Sequence, residues 1–320
     1  MPPTARPAPE AFRRGLSAVV ANPRLILAPA AFGAAAVASI FVPVALLVLT
    51  FAGSFTGFAS DASLIRDPAQ LVDRLRGFLE GLMASPFALL LGLLAFLAVL
   101  LLLTALAAFV RAGITGCLLA IDAHAAEGAP LAMFRHPALG AVFWSSARRG
   151  AGRLFALVNL YGIALSCVAL LLLMPIGLAV FAGVSERGAV AALALALFLL
   201  VLAPAFGASI AFRVLYLVAC RLTVSEDVDA LEAVGRAVAW TRASLSRVVL
   251  LYLLTLAAGF VTGVAFLVPR LALSLAGGHS FVFFVLGTGA IFLAQMLVGL
   301  AYDLTVSGAF VSLWPAGRVP

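Results

Sequence analysis

Three polar residues interrupt or follow the long apolar segments of this chain and could bind an anion there. Arg111 and Arg213 each directly follow an apolar segment, and Gln295 lies inside one. An internal alignment on matching segments places Arg213 over Gln295, with Arg111 within one residue of Arg213. An ionisable side chain inside a membrane span is costly and is by default a functional candidate. The three residues therefore predict a polar layer, at similar depth toward the cytoplasmic leaflet, that binds phosphate or another anion.

A second explanation of this layer needs no ligand. Arg213 precedes Arg221 by eight residues, which is roughly 12 Å along a helix axis. Its guanidinium could therefore reach the lipid headgroups while its aliphatic stem stays in the apolar phase. Asp303 has apolar neighbours, but its equivalent in the internal alignment is Arg221, at a predicted helix end. This favours an interfacial Asp303 over a buried proton relay, and for the arginines the sequence leaves anion binding and snorkelling both open.

The residues after the second apolar segment have the side-chain types of a metal site but not its spacing. Asp122, His124 and Glu127 stand close together, and His136 follows them. Their Asp-x-His-x-x-Glu order lacks the second His at i+4 that a helical zinc site supplies. We therefore expect a solvated loop here, without a metal or another cofactor.

No catalytic motif accompanies these residues. The sequence contains no Gly-x-Ser-x-Gly, no His-Glu-x-x-His and no pair of carboxylates in a setting that suggests a concave site. Cys117, Cys167 and Cys220 lie singly in apolar segments, as small buried side chains do. The sequence therefore predicts a protein that is not an enzyme.

The composition decides the environment of all these residues. Apolar residues make up 65% of the chain and charged residues only 10%, with a mean hydropathy of +1.21. A water-soluble domain has roughly 25% charged residues, whereas apolar runs of about 20 residues are long enough to cross the bilayer as helices. The sequence therefore predicts an all-α polytopic transmembrane bundle that forms one domain over residues 1–320. The six predicted spans lie near 25–52, 86–110, 154–184, 189–212, 248–269 and 281–302.

The distribution of arginines predicts how these spans are oriented. All 20 basic residues are Arg, and with a cytoplasmic N-terminus 15 of them fall on the cytoplasmic side and 5 on the other side. Cytoplasmic loops are enriched in basic residues, so we expect both termini in the cytoplasm and the chain in a bacterial inner membrane. Because the arginines flank spans rather than cover a soluble face, nucleic acid is not an expected partner.

Short matching segments indicate an internal repeat. Leu-Thr-Val-Ser occurs at 222–225 and again at 304–307, after the fourth span and at the end of the sixth. A looser match aligns Cys117, after the second span, with Cys220. The predicted unit is a cytoplasmic amphipathic helix, a span outward and a span back, used three times. Amphipathic helices are accordingly predicted at 10–22, 137–153 and 226–247 in the cytoplasm, with another at 68–83 in the periplasm.

The helix predicted over 226–247 has the clearest signals. Thr223 and Glu226 have the spacing of a capping box, and acids precede arginines along the segment, an order that suits the helix dipole. We expect this helix to lie on the membrane surface, where Arg242 and Arg247 contact anionic headgroups. Its expected faces are Leu231, Val234 and Val238 toward the membrane or bundle, and Glu232 and Arg236 toward water.

Three short motifs support a family resemblance. The helix before the fifth span reads Glu232-Ala233-x-x-Arg236-Ala237-x-x-Trp240, Asn22-Pro23 precedes the first span, and Tyr302-Asp303-Leu304-Thr305 ends the sixth. In these motifs the chain resembles the membrane domain attached to some bacterial glycerophosphoryl diester phosphodiesterases, and similar stand-alone membrane proteins of unknown function. The last motif departs from the family's Tyr-x-Asp-Leu-Arg by losing the spacer and the Arg. The resemblance covers nearly the whole chain and implies a membrane fold, but the family's catalytic His-Arg-Gly and its barrel are missing, so it implies no reaction.

The sequence as a whole predicts a non-enzymatic inner-membrane protein that contacts anionic lipid, or a partner protein in the membrane or cytoplasm. The alternative is a small transporter or permease for an anionic or amphipathic solute. A water-filled path between the spans would distinguish the transporter. The candidate lipid- or anion-binding residues are Arg111, Arg213, Gln295, Arg242 and Arg247.

Overall fold

The computed structural model describes residues 6–50, 86–126, 128–184, 188–276 and 281–314. These residues form eight α-helices and two short 3-10 helices, Pro23–Ile26 and Leu131–Phe134, and they contain no β-strand. The predicted periplasmic helix at 68–83 and the candidate metal ligand Glu127 lie outside the described residues. The helices are α1 Ala8–Ala21, α2 Leu27–Thr50, α3 Pro86–His124, α4 Leu139–Val184, α5 Gly188–Glu226, α6 Ala230–Ala243, α7 Leu245–Ala276 and α8 Phe281–Leu313.

The chain is a multi-pass helical membrane protein by the length and composition of its helices. Among the described residues, five helices are long and apolar enough to cross a bilayer: α3, α4, α5, α7 and α8. A sixth candidate is the pair formed by α1 and residues 23–39, which meet at an angle of 89°. The first predicted span, 25–52, is helical from Leu27 to Thr50.

The even-numbered predicted spans continue as helix well beyond their first charged residue. Spans expected to end at 110, 212 and 302 belong to helices that end at His124, Glu226 and Leu313. A charge ends a hydropathy run, but Arg is a good helix former, so it does not end a helix. The added turns are buried, with Cys117, Cys220 and Leu304 at most 2% exposed.

The predicted helix at 137–153 and the span after it form one element. α4 runs without a break for 46 residues, from Leu139 to Val184. Gly150 and Gly152 lie just before the junction but do not break the helix, and Leu154 and Leu157 at the junction are buried. Packing at the junction therefore continues the helix where the sequence suggested two.

The capping box predicted at Thr223 and Glu226 is not formed. Both residues belong to the end of α5, because the turn that contains them is packed into the core and Thr223 is 0% exposed. The chain then turns at Asp227, whose φ is 60°, and α6 begins after Asp229. An Asp tolerates this left-handed conformation better than most residues.

The chain divides into two compact units, and the first contains the large cores. Its segments are Met1–Phe32, Ala107–Val158 and Val214–Pro320. The carboxyl-terminal turns of α3, α5 and α8 meet in this unit, together with α1, α6 and the start of α7. The segments that match in the internal alignment are therefore the ones that form this core.

Two glycines allow α1 to cross α8 with their backbones in contact. A Cβ at Gly15 would collide with the backbone of Thr305 and Ala309, and one at Gly308 would lie 3.0 Å from the Cα of Gly15. Helices approach this closely only through small residues. The crossing holds α1 against the last turns of α8.

The second unit consists of Gly33–Leu106 and Asn159–Arg213. Its described residues are parts of α2, α3, α4 and α5, and their large apolar side chains are mostly exposed: Leu170 by 66%, Met174 by 78% and Leu200 by 72%. Apolar side chains exposed around whole helices require a lipid phase. This unit therefore has the surface of a bilayer-spanning region.

Candidate functional site

Arg111 lies in the interior of the first unit and connects three helices. Its Nη1 is 3.3 Å from Oδ2 of Asp303 on α8, and its Cζ is 5.5 Å from the ring centre of Tyr216 on α5. The Arg111 side chain is 15% exposed and that of Asp303 is 45% exposed. Asp303 is thus an ion-pair partner of Arg111, ten residues before the end of α8 at Leu313, and its predicted interfacial position stays a prediction.

The structure gives Gln295 a partner other than Arg111. Gln295 Oε1 accepts a hydrogen bond from Arg270 of α7. Gln295 precedes Asp303 by eight residues, about 12 Å along the helix axis. Arg213, the third member of the predicted layer, belongs to the second unit. Gln295 and Asp303 of α8 therefore belong to two separate pairs, Arg270–Gln295 and Arg111–Asp303.

Asp122 is buried and ion-paired, so the predicted solvated loop at this position is wrong. Nε of Arg14 donates to Asp122 Oδ1 at 2.7 Å, and Nη1 of Arg6 donates to both carboxylate oxygens at 3.0 Å. Arg14, whose side chain is 0% exposed, also donates to the carbonyl oxygens of Asp122, Ala125 and Ala126. A buried charge needs such partners, and a cation also suits a helix carboxyl terminus.

The end of α8 is capped by arginines as well. Arg6 donates its backbone N–H to Leu313 and its Nη1 to the Ser312 carbonyl, at 2.8 and 3.0 Å. Arg221 donates from Nη2 to the carbonyl of Trp314 at 2.5 Å and stacks its guanidinium 5.3 Å from the ring centre of Trp240. The ends of α3, α5 and α8 are therefore joined at one end of the first unit.

Sequence reasoning missed this cluster because its members are far apart in the chain. Asp122 is separated by more than 100 residues from both arginines that bind it. One signal was present: Arg14 lies between the small residues Ala11, Gly15 and Ala18, on the face of α1 that packs. An arginine on a face of small residues indicates a buried cation with a partner elsewhere.

Asn22 explains the Asn-Pro motif before the first span. Its Nδ2 donates to the carbonyls of Ala18 and Phe134 at 2.8 Å, and its Oδ1 accepts from the backbone N–H of His136 at 3.2 Å. These bonds fasten the end of α1 to the loop before α4. The ring of His136 lies 5.7 Å from that of His124, and in the described part of the chain no three His, Cys, Asp or Glu residues group as metal ligands.

Ion pairs hold the surface of α6. Arg236 donates to Glu226 at 2.8 Å and to Glu232 at 2.5 Å, while Arg153 of α4 pairs with Asp227. The helix buries Ala233 and Ala237 rather than the larger residues of the predicted stripe. Of that stripe, Val234 and Val238 are half-buried and Leu231 is 77% exposed.

Three span-forming helices begin beside an exposed arginine. Arg24 precedes α2 by three residues, Arg135 precedes α4 by four, and Arg247 is the third residue of α7. None of these helices has an acid in its first turn. A helix amino terminus carries partial positive charge and favours anions, so these arginines do not stabilise their own helices. Arg242, also exposed, lies on the other side of Ser244 from Arg247.

Comparison with protein families, curated proteins and solved structures finds no match to this chain.

Proposed function

We propose that this chain is a non-enzymatic protein of the bacterial inner membrane that contacts anionic lipid headgroups of the cytoplasmic leaflet. The observation that supports this most directly is the exposed arginine at the start of α2, α4 and α7. Each of these positions is unfavourable for a cation near a helix amino terminus, and the first turn of each helix contains no Asp or Glu. Anionic headgroups attract exposed arginines that lie near the membrane surface.

The proposed orientation rests on two observations. The backbone N–H of Arg6 donates to the carbonyl of Leu313, so the first and last described turns lie at the same end of the first unit. The arginine-rich loops belong to that end, and basic loops favour the cytoplasm. We therefore propose that both termini lie in the cytoplasm. The resemblance to the membrane domain of glycerophosphoryl diester phosphodiesterases remains part of the proposal. It implies a membrane fold and no reaction.

Arg242 and Arg247 provide the test, because both are exposed at the junction between α6 and α7. Each basic residue near an anionic surface contributes about 1 kcal/mol of attraction. The full chain is reconstituted into mixed bilayers, and the association of spin-labelled phosphatidylglycerol with the protein surface is measured relative to spin-labelled phosphatidylcholine. We expect the Arg242→Glu, Arg247→Glu variant to show a weaker preference for phosphatidylglycerol than the parent, while Arg24 and Arg135 keep the remaining part of that preference.

The matched control is Glu232→Gln on the same helix, which removes one exposed ion pair with Arg236 and should leave the lipid preference unchanged. If the double variant kept the parent's preference for phosphatidylglycerol, the arginines of this junction would have another partner. A cytoplasmic protein would then replace lipid as the proposed contact.

A further inference from the structure

A cavity of about 1000 Å³ opens in the first unit where α2 and α4 begin. Five segments line it: the turn after α1, the first turn of α2, the middle of the buried part of α3, the loop before α4 and the first turns of α4. Ligand pockets in proteins typically measure about 300–1,000 Å³. The cavity is therefore large enough for part of a lipid and far larger than a phosphate ion needs.

The wall of this cavity is apolar at its base and basic at its rim. Leu25, Ile114 and Cys117 line it and are between 1% and 6% exposed. Arg24 and Arg135 also line it and are exposed. None of the described lining residues is Asp or Glu. The two cations at the rim therefore have no carboxylate in the cavity to neutralise them.

The walls are held in place by contacts that do not involve the arginines. The bonds of Asn22 to Phe134 and His136 fix the turn after α1 against the loop before α4. Phe143 packs directly onto Gly113 of α3, where a Cβ would collide with its ring. Trp144, 55% exposed, meets Phe143 edge to face with ring centres 5.8 Å apart. The cavity is therefore preformed, with an exposed tryptophan at its edge.

We infer that this cavity binds one molecule of an anionic phospholipid. Arg24 and Arg135 pair with its phosphate, because arginine donates to phosphate oxygens in a planar, bidentate geometry. The apolar base receives the first part of an acyl chain, and Trp144 lies at headgroup level, where amphipathic rings are favoured. The inference rests on the proposed function, since it adds one specific site to a general contact with anionic headgroups.

The test counts lipids bound to the full chain in detergent by native mass spectrometry. Three probes are added separately: dioleoyl phosphatidylglycerol, dioleoyl phosphatidylcholine and glycerol 3-phosphate, which has no acyl chains. We expect one phosphatidylglycerol to stay bound at concentrations where phosphatidylcholine and glycerol 3-phosphate do not. Equal retention of the two lipids would overturn the anionic site, and equal binding of glycerol 3-phosphate would show a site for free phosphate esters instead.

Two variants assign the bound lipid to this cavity. Arg24→Gln with Arg135→Gln should weaken binding of phosphatidylglycerol at least tenfold, since two phosphate contacts are lost. Its control, Arg13→Gln with Arg148→Gln, removes the same charge from exposed residues outside the cavity. Gly140→Leu narrows the cavity without changing charge, because Gly140 lines it and a Cβ there has no atom within 4 Å. Gly152→Leu, equally open but outside the cavity, is its control.

Both cavity variants should lose the bound lipid and both controls should keep it. Retention of the lipid by either cavity variant, or its loss in either control, would overturn this site. The outcome is separable from the proposed function. If the cavity holds no lipid but the lipid preference of the Arg242→Glu, Arg247→Glu variant is weakened, the general contact is supported and the specific site is wrong. If the cavity holds a lipid but the variant keeps the parent's preference, the contact at the junction is wrong and the specific site is supported.

Discussion

Arg14 and Asp122 form the most completely buried ion pair among the described residues. Arg14 is bonded to the carboxylate and to three carbonyl oxygens at the end of α3, and Arg6 supplies a second cation to the same carboxylate. Removing one member of a buried ion pair leaves the other charge without compensation. The stability of the fold therefore depends on both residues being present together.

Asp122→Ala should destabilise the protein by about 3 kcal/mol or more, because Arg14 and Arg6 both lose the carboxylate. Thermal unfolding of the purified chain in detergent measures this as a lower midpoint. Glu232→Ala is the control, since it removes an exposed i,i+4 pair with Arg236 that stabilises a helix by about 0.2–0.5 kcal/mol. Similar midpoints for the two variants would contradict a structural role for the buried cluster.

Arg111 and Asp303 pair inside helices that are long and apolar enough to cross a bilayer. Asp303→Asn should destabilise the fold because it leaves the guanidinium of Arg111 short of a partner. The variant that also carries Arg111→Met should recover part of that loss, since removing both partners of a polar contact costs less than removing one. A double-mutant cycle of unfolding midpoints in detergent reports this. Strictly additive effects of the two substitutions would show that the pair is not coupled.

Among the elements, α1 is fixed to α8 by backbone contact, in addition to the bonds that Arg14 makes to the end of α3. Gly15 and Gly308 bring α1 and α8 together, and the bonds of Asn22 then set the direction in which the chain leaves α1. The 89° bend between α1 and the following segment follows from this turn at Asn22-Pro23. The turn at Asn22 therefore joins α1 to the candidate span that follows it.

Gly15→Ala should destabilise the protein by about 1–3 kcal/mol, because the added methyl group meets the backbone of α8 and cannot be accommodated by a side-chain rotation. Gly235→Ala on α6 is the control. A Cβ there has no atom within 4 Å, so the substitution should stabilise the helix by about 0.5–1 kcal/mol. Unfolding midpoints that rise in both variants would rule out the close crossing of α1 and α8.

The sequence predicted which elements exist better than where they end. Hydropathy finds a span by its uncharged length, so it stopped at Arg111 although the helix continues to His124. The Thr-x-x-Glu spacing also predicted a capping box at Thr223, but burial of the surrounding turn keeps α5 helical there. Propensity and capping signals are local, whereas these boundaries are decided by packing against segments far away in the chain.

The candidate site was less accessible from the sequence for the same reason. Internal alignment grouped Arg111 with Gln295, but each has its own partner, Asp303 and Arg270. Alignment reports equivalent positions along a repeat, and it does not report which side of a helix faces a neighbour. The cavity beside Arg24 and Arg135 had no sequence signal, since its lining comes from three separate stretches of the chain, 21–28, 114–117 and 132–144.

For the whole molecule, we propose that the arginine-bearing ends of the helices lie at the cytoplasmic surface of a bilayer. Position 239 on α6 and position 133 before α4 are both exposed in the first unit. A single cysteine at either position, Ala239→Cys or Met133→Cys, can be labelled with a membrane-impermeant maleimide after Cys117, Cys167 and Cys220 have been replaced by Ala. The reagent is applied to intact spheroplasts and to inverted membrane vesicles.

The labelling pattern tests this orientation, and the headgroup contact and the lipid site both depend on the same orientation. We expect labelling of both positions in inverted vesicles and none in spheroplasts until the membrane is permeabilised. Labelling of either position from outside intact spheroplasts would contradict it, since the arginines would then face the periplasm.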